Sequence, residues 1–168
     1  MSERPLLLID VDGVLNPLAR KSPPGFSEQR LAGFLVRLSA QHGEWILSLE
    51  RDHGFELVWA TSWEHEANEL IGPVIGLPQL PVIEFDNKLI GSGYTWKLPA
   101  IREYVANRSF AWFDDDLGSD ARLWARRRNR SEKIPTRLIE IPPLVGLREY
   151  DIEQAQKFAA KVAALGSV

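Results

Sequence analysis

The 168-residue chain contains no cysteine. That excludes a disulfide framework, a thiolate metal site and a cysteine nucleophile, and it fits a reducing compartment. Histidine is scarce: His42, His53 and His65 lack the spacing of a zinc site and read as surface or helix-end residues. No apolar stretch approaches the roughly 18 uninterrupted residues of a membrane span, and the opening Met1-Ser2-Glu3-Arg4-Pro5 is polar. A cytoplasmic protein with no membrane partner is expected. There is no surplus of positive charge, since 20 Lys and Arg face 23 Asp and Glu for a net charge of −3. This argues against a dedicated nucleic-acid coat or membrane-surface protein, although a local basic patch can still bind polyanions. Internal repeats, linkers and low-complexity tracts are also missing. What remains is a 45% hydrophobic chain of a length suited to one well-buried core, and residues 1–168 are expected to form a single domain.

Apolar runs recur along this chain with helical segments between them. Leu6-Leu7-Leu8-Ile9 reads as a strand buried on both faces, of the kind parallel sheets contain. Phe55 to Ala60 predicts a second such strand, Pro81 to Phe85 a short third, Ser109 to Phe113 a fourth and Thr136 to Ile141 a fifth, stopped by Pro142-Pro143. Helices are expected over Gly43 to Arg51, Trp63 to Ile71, Trp96 to Val105, Leu117 to Arg130 and Asp151 to Leu165. Asn16 to Phe26, with three prolines and Gly25, has loop chemistry and suggests a flap over approximately residues 16–40; Leu31 to Ser39 reads as either a strand of that flap or a short helix. Strand and helix alternation predicts an α/β fold, a three-layer α/β/α sandwich around a Rossmann-like parallel sheet of about five strands, with a small flap and no large cap domain.

Carboxylates stand at the ends of two of the strands. Asp10 and Asp12 follow the first, in Asp10-Val11-Asp12-Gly13-Val14, and Asp114-Asp115-Asp116 follow Phe113. Ligands of open α/β sheets bind at that carboxyl edge. Thr61 and Ser62 follow the second strand, and Lys97 stands at a helix start. Such a set suits phosphoryl transfer. A carboxylate, Asp10, can attack phosphorus, and a second, Asp12, can protonate the leaving oxygen and then deprotonate water. A hard cation is needed where carboxylates meet a phosphate dianion, and Mg²⁺ on Asp10, Asp114 and Asp115 meets that need. A hydroxyl and an ammonium, Thr61 and Lys97, can hold the phosphoryl oxygens.

These four pieces, in this order, resemble the four motifs of the haloacid dehalogenase-like (HAD) hydrolase superfamily, and the resemblance covers most of the chain. It implies a Rossmann-like core, Mg²⁺ dependence, Asp10 as nucleophile and Asp12 as acid/base. It further implies Thr61, its neighbour Ser62 and Lys97 on the substrate phosphate, and Asp114 and Asp115 on the metal together with Asp10 and Asp12. Within motif four, Asp116 is an alternative partner for either neighbour. The stretches Val58-Trp59-Ala60-Thr61-Ser62-Trp63, Ala67-Asn68 and Tyr94-Thr95-Trp96-Lys97-Leu98-Pro99 are similar to a small capless branch related to RNA-repair-associated HAD domains. The expected activity is a Mg²⁺-dependent phosphatase acting through an aspartyl-phosphate, with a nucleic-acid end or nucleotide as substrate. The alternatives are a small-metabolite phosphatase and a non-catalytic phosphate- and metal-binding regulatory module. No obligate protein partner is evident.

Other conspicuous residues have plainer readings. Trp59 and Trp112 are expected in the core, whereas Trp63 and Trp96 flank the motifs and are candidates for packing or for the substrate entrance. Arg122, Arg126, Arg127, Arg128, Arg130, Lys133 and Arg137 read first as a solvated face and second as a track for a nucleic-acid backbone. Asn68 is expected to be solvent-exposed or structurally hydrogen-bonded.

Overall fold

The computed structural model describes residues 3–86, 88, 90–91 and 94–166. Its centre is β1 (Leu6–Ile9), whose four side chains are all inaccessible to water. The strand is apolar throughout because it has a neighbour on each side and a layer on each face: β4 (Glu56–Trp59) and β5 (Phe110–Asp114) both pair with it in parallel. With β6 (Thr136–Glu140) paired to β5, the parallel sheet runs β4-β1-β5-β6. Alternation along β1 then divides the core. Leu7 and Ile9 face the layer that contains α1 (Ala40–His53) and α5 (Glu149–Leu165). Leu6 and Leu8 face the layer built from α3 (Leu98–Val105) and α4 (Ser119–Arg127). Burial of each such leucine contributes about 1.5–3 kcal/mol. The result is the three-layer α/β/α arrangement around a parallel sheet, with no large cap among the described residues.

Two segments depart from the pattern expected of them. The expected strand at Pro81 to Phe85 contributes one isolated bridge, Val82 to Trp59, so the sheet has four strands rather than five. Pro81 has no N–H to donate, and the Phe85 N–H is drawn away to the Glu64 carboxylate (2.9 Å). The helix expected over Trp63 to Ile71 starts with a turn and is wound wide over Ala67–Ile71, before α2 (Gly72–Ile75) resumes the normal pitch. Pro73, which cannot bond to the preceding turn and needs room beside it, accounts for the wide turn. Asn68 is structural: its amide group bonds both to the Leu80 backbone and to the Trp59 indole. Close approach of α1 to α2 depends on Gly43, where a Cβ would lie 1.7 Å from the Ile75 carbonyl oxygen.

The segment between β1 and α1 forms an antiparallel hairpin, β2 (Ser27–Leu31) and β3 (Phe34–Leu38). Its two-residue turn, Ala32-Gly33, has positive φ at both positions, as the twist of a tight hairpin requires. The Leu31 to Ser39 segment is therefore a strand and not a helix. Val36 and Leu38 anchor it in the main core, while Phe34 and Leu35 remain exposed.

Two polar side chains read from sequence as solvated are buried. His42 is 3% exposed, lies edge-on to Phe26 and beside Trp45, and has Nε2 2.9 Å from the Leu147 carbonyl oxygen. Arg128 is 2% exposed. Its guanidinium bonds the Thr136 hydroxyl (2.8 Å) and the carbonyls of Ala106 (2.6 Å) and Arg108 (2.7 Å), and lies over the rings of Phe110 and Trp124. It acts as a clasp joining α3, α4 and β5.

Replacement of Arg128 by Ala leaves buried carbonyls without a donor and is expected to destabilise the fold by about 2–4 kcal/mol, measurable by urea denaturation. Burial lowers the His42 pKa from its ordinary 6.5 to about 4, outweighing the bond to Leu147 that works the other way. Between those two values the unfolded chain binds a proton that the native ring refuses. The contribution of His42 is therefore complete above pH 6.5 and is lost as pH falls towards 4, amounting to about 3 kcal/mol. The difference in stability between wild type and His42→Phe, followed from pH 7 to pH 4, should shrink accordingly.

Candidate active site

Parallel pairing places the ends of β1, β4 and β5 at one edge, and the motif residues meet there. Asp10 follows β1, Asp114 is the last residue of β5, and Thr61 lies two residues beyond β4. The Asp10 and Asp114 side chains are buried, and both contact the ammonium of Lys97, at 2.8 and 2.6 Å respectively. Their remaining oxygens are also held: the Val11 N–H donates to Asp10 Oδ1 (2.7 Å) and the Asp116 N–H to Asp114 Oδ1 (2.9 Å). One carboxylate oxygen from each of Asp10, Asp114 and Asp115 lies within 4.8 Å of the others.

Two carboxylates thus share one ammonium, and a third, Asp115, lies beside them. Burial disfavours charge on Lys97, but the two contacting carboxylates outweigh it and raise its pKa, so it remains charged. For Asp10, burial comes first and Asp114 adds to it; together they outweigh Lys97 and push the carboxyl up to about 8. Asp115 is raised for the same reasons, by burial and by Asp114. The site is short of positive charge. Hard, crowded, partly desolvated oxygen donors of this kind fit a divalent cation such as Mg²⁺, which binds through one or more carboxylates and retains waters.

Asp12, expected on the metal as well, stands outside this group of three. Its Oδ1 accepts from Asn16 Nδ2 (2.8 Å) and its Oδ2 from the Trp63 indole Nε1 (2.9 Å). Asn16 is in turn held by the hairpin, its Oδ1 accepting from the Arg37 N–H (2.8 Å). Thr61 is fully buried and its Oγ1 accepts from the Trp63 N–H (3.3 Å), which leaves its own proton to donate. Ser62 is exposed and lines the cleft of about 180 Å³ that contains Asp10, Asp12, Lys97 and Asp114 to Asp116. Trp96 and Leu18 complete its walls. Against Asp12, Leu18 and Ser62 this cleft adjoins a second hollow of about 440 Å³, walled by Phe34, Leu35, Val36 and Trp63.

Several residues that build the site are given no site role by the four motifs. Thr95 bonds Asp120 through both its hydroxyl (2.7 Å) and its N–H, and accepts from the Gly118 N–H (2.9 Å). This ties the approach to Lys97 to the start of α4. Asn16 and Trp63 orient Asp12 from positions 4 and 51 residues away. Trp63 is legible as a residue flanking a motif, for packing or the substrate entrance, whereas Asn16 reads only as the start of a proline-rich loop.

The basic stretch is elsewhere. Arg128 bonds the carbonyls of Ala106 and Arg108, which precede β5, whereas Asp114 ends that strand and Asp115 follows it. From Arg126 onward the stretch therefore lies at the amino edge of the sheet, about 16 Å from the site at the rise of a five-residue strand.

A parallel sheet that brings two carboxylate pairs, a hydroxyl and a buried lysine to its carboxyl edge defines a HAD-like hydrolase domain. Residues 6–152 match the family described as the HAD domain in Swiss Army Knife RNA repair proteins, and the chain belongs to that family. No curated protein matches it. No helix among the described residues is long and apolar enough to cross a membrane.

Gly13 lets the chain turn between Asp12 and the cleft: its φ is +76°, and a Cβ there would stand 2.3 Å from Asp115 Oδ2. Gly13→Ala is expected to cost about 2–4 kcal/mol, combining backbone strain with displacement of Asp115. Gly25→Ala, at φ +85° with open space around it, should cost only the strain, about 1 kcal/mol. Thermal denaturation of the two variants separates these contributions.

Proposed function

We propose that the protein is a Mg²⁺-dependent phosphomonoester hydrolase acting through a phosphorylated Asp10. The observation that carries this reading is the buried Asp10–Lys97–Asp114 cluster with Asp115 beside it and Asp12 within the same cleft. An oxygen of the Asp10 carboxylate bonds to phosphorus as the ester P–O bond breaks, and Asp12 gives its proton to the departing oxygen. Asp12 then takes a proton from water as the water oxygen attacks phosphorus, releasing inorganic phosphate and restoring Asp10. Thr61, Ser62 and Lys97 hold the phosphoryl oxygens where charge accumulates. Asp10, Asp114 and Asp115 would hold the cation, which supplies neutralisation of the phosphate charge when bound.

The nucleophile must be ionised, and the residues around Asp10 alone favour its protonated form, because burial and Asp114 outweigh Lys97. Lys97 favours its carboxylate form against burial and against Asp114, and an additional positive charge at the cluster favours it further. Substrate is a phosphorylated nucleic-acid end or a nucleotide, the class favoured by the family's connection with RNA repair proteins; a small-metabolite ester is the alternative. With no large cap among the described residues, the cleft is open to bulky esters.

Asp10→Asn is expected to lower phosphate release at least about 10³-fold while the protein remains folded by circular dichroism. Chelation by EDTA should stop the wild-type reaction, and Mg²⁺ should restore it. Wild-type turnover by Asp10→Asn rejects the covalent route, and full activity in EDTA rejects the metal. A rate that falls steeply with salt on an oligonucleotide 3′- or 5′-phosphate supports the nucleic-acid substrate, whereas a flat response supports a metabolite.

A further inference from the structure

Asp12 is attached to the hairpin by two separate routes. One passes from the Arg37 N–H of β3 through Asn16 to Asp12 Oδ1. The other passes from Phe34 at the hairpin tip, whose ring meets that of Trp63 edge-on at 6.0 Å, through the Trp63 Nε1–H to Asp12 Oδ2 (2.9 Å). Each carboxylate oxygen thus receives one neutral donor and keeps one lone pair. The carboxyl group cannot rotate about its last torsion without breaking both bonds, and the direction in which it presents a proton is thereby fixed. Trp63 also has a second surface. It lines the hollow of about 440 Å³ beside Asp12, together with Phe34, Leu35, Val36 and Leu18. A group departing from phosphorus beside Asp12 has this hollow next to it.

We propose that Trp63 is a positioning residue for Asp12: its indole N–H aims the carboxyl group at the leaving oxygen, while its ring forms part of the seat for the leaving group. This rests on the phosphatase reading above and adds to it a residue outside the four motifs. Proton donation matters most for a poorly departing alkoxide and least for an activated phenolate. A side chain that acts by aiming the acid therefore changes the relative rates on two esters, whereas a side chain that only supports the fold lowers both alike.

The experiment compares kcat on a nucleoside 5′-monophosphate, an alkyl ester, with kcat on p-nitrophenyl phosphate, in the presence of Mg²⁺, for wild type and Trp63→Phe. The variant keeps a ring in the wall and removes the donor. The ratio of p-nitrophenyl to alkyl turnover is expected to rise about 10- to 100-fold, with KM for the nucleotide altered much less. A partly unfolded sample lowers both rates together and leaves the ratio where it was, so the ratio reports the acid in whatever fraction is folded. A ratio unmoved within about twofold, the scatter of such comparisons, overturns the role of Trp63 and leaves the phosphatase reading standing. If wild type with Mg²⁺ releases phosphate from neither ester nor from any phosphomonoester, the phosphatase reading itself fails and takes this inference with it.

Discussion

One ammonium shared by two buried carboxylates is the interaction on which the rest of the site depends. Lys97 touches Asp10 and Asp114 from the start of α3, so three different segments of chain are fixed relative to one another by a contact that water does not screen. Burying such charges is costly unless each is paired and hydrogen-bonded, and here each carboxylate has a backbone donor in addition to the lysine. The pairing is nevertheless incomplete, because Asp115 adds a third acid to the same space. The upward displacement of the Asp10 carboxyl to about 8 expresses that deficit. A proton or a divalent cation can make it good, and the two compete for the same oxygens. The same crowding that destabilises the cluster makes its oxygens suitable donors for a cation.

The topology explains why these residues meet. β1 is central, and its two neighbours in the sheet are the two strands that deliver the other functional segments. Because all three run parallel, their carboxyl ends coincide, and residues more than 50 positions apart are brought together without any long loop. Lys97 enters from one layer of the sandwich and the Asn16–Trp63 pair from the other, so each layer's packing holds one part of the chemistry. Thr95 and Asp120 perform the equivalent service on the Lys97 side, bracing the turn before α3 against the first turn of α4.

Much of this was legible in the sequence, for identifiable reasons. Unbroken apolar runs such as Leu6 to Ile9 and Phe110 to Phe113 mark strands covered on both faces, and the acids at their ends then have only one edge to occupy. Where no buried face exists the pattern is silent. Ser27 to Leu31 is polar and largely exposed on both sides, and its turn, Ala32-Gly33, lacks the Asn or Asp that usually announces a hairpin. Long-range partners were also invisible. His42 is buried by virtue of a carbonyl 105 residues away, and Arg128 by carbonyls about 20 residues back; nothing in the surrounding composition distinguishes that arginine from its exposed neighbours. Asp12 illustrates the limit at the site itself. Its identity followed from spacing, but its orientation depends on an indole 51 residues on.

The separation of charge across the molecule bears on how a phosphorylated substrate, as proposed above, would be received. The carboxylates occupy the carboxyl edge of the sheet, while Arg126, Arg127, Arg130 and Lys133 lie towards the amino edge beyond the buried Arg128. A Debye length at physiological salt is about 8 Å, half the length of β5, so those cations do little to the potential felt by a phosphate in the cleft. On the proposed reading attraction would therefore arise at the site, from Lys97, from hydroxyl and backbone donors and from a cation at the cluster. Lys97 is already engaged by two acids, which leaves it little net charge to offer. On the proposed reading the cation and the phosphate would depend on each other, because without added positive charge the crowded carboxylates repel a phosphate dianion.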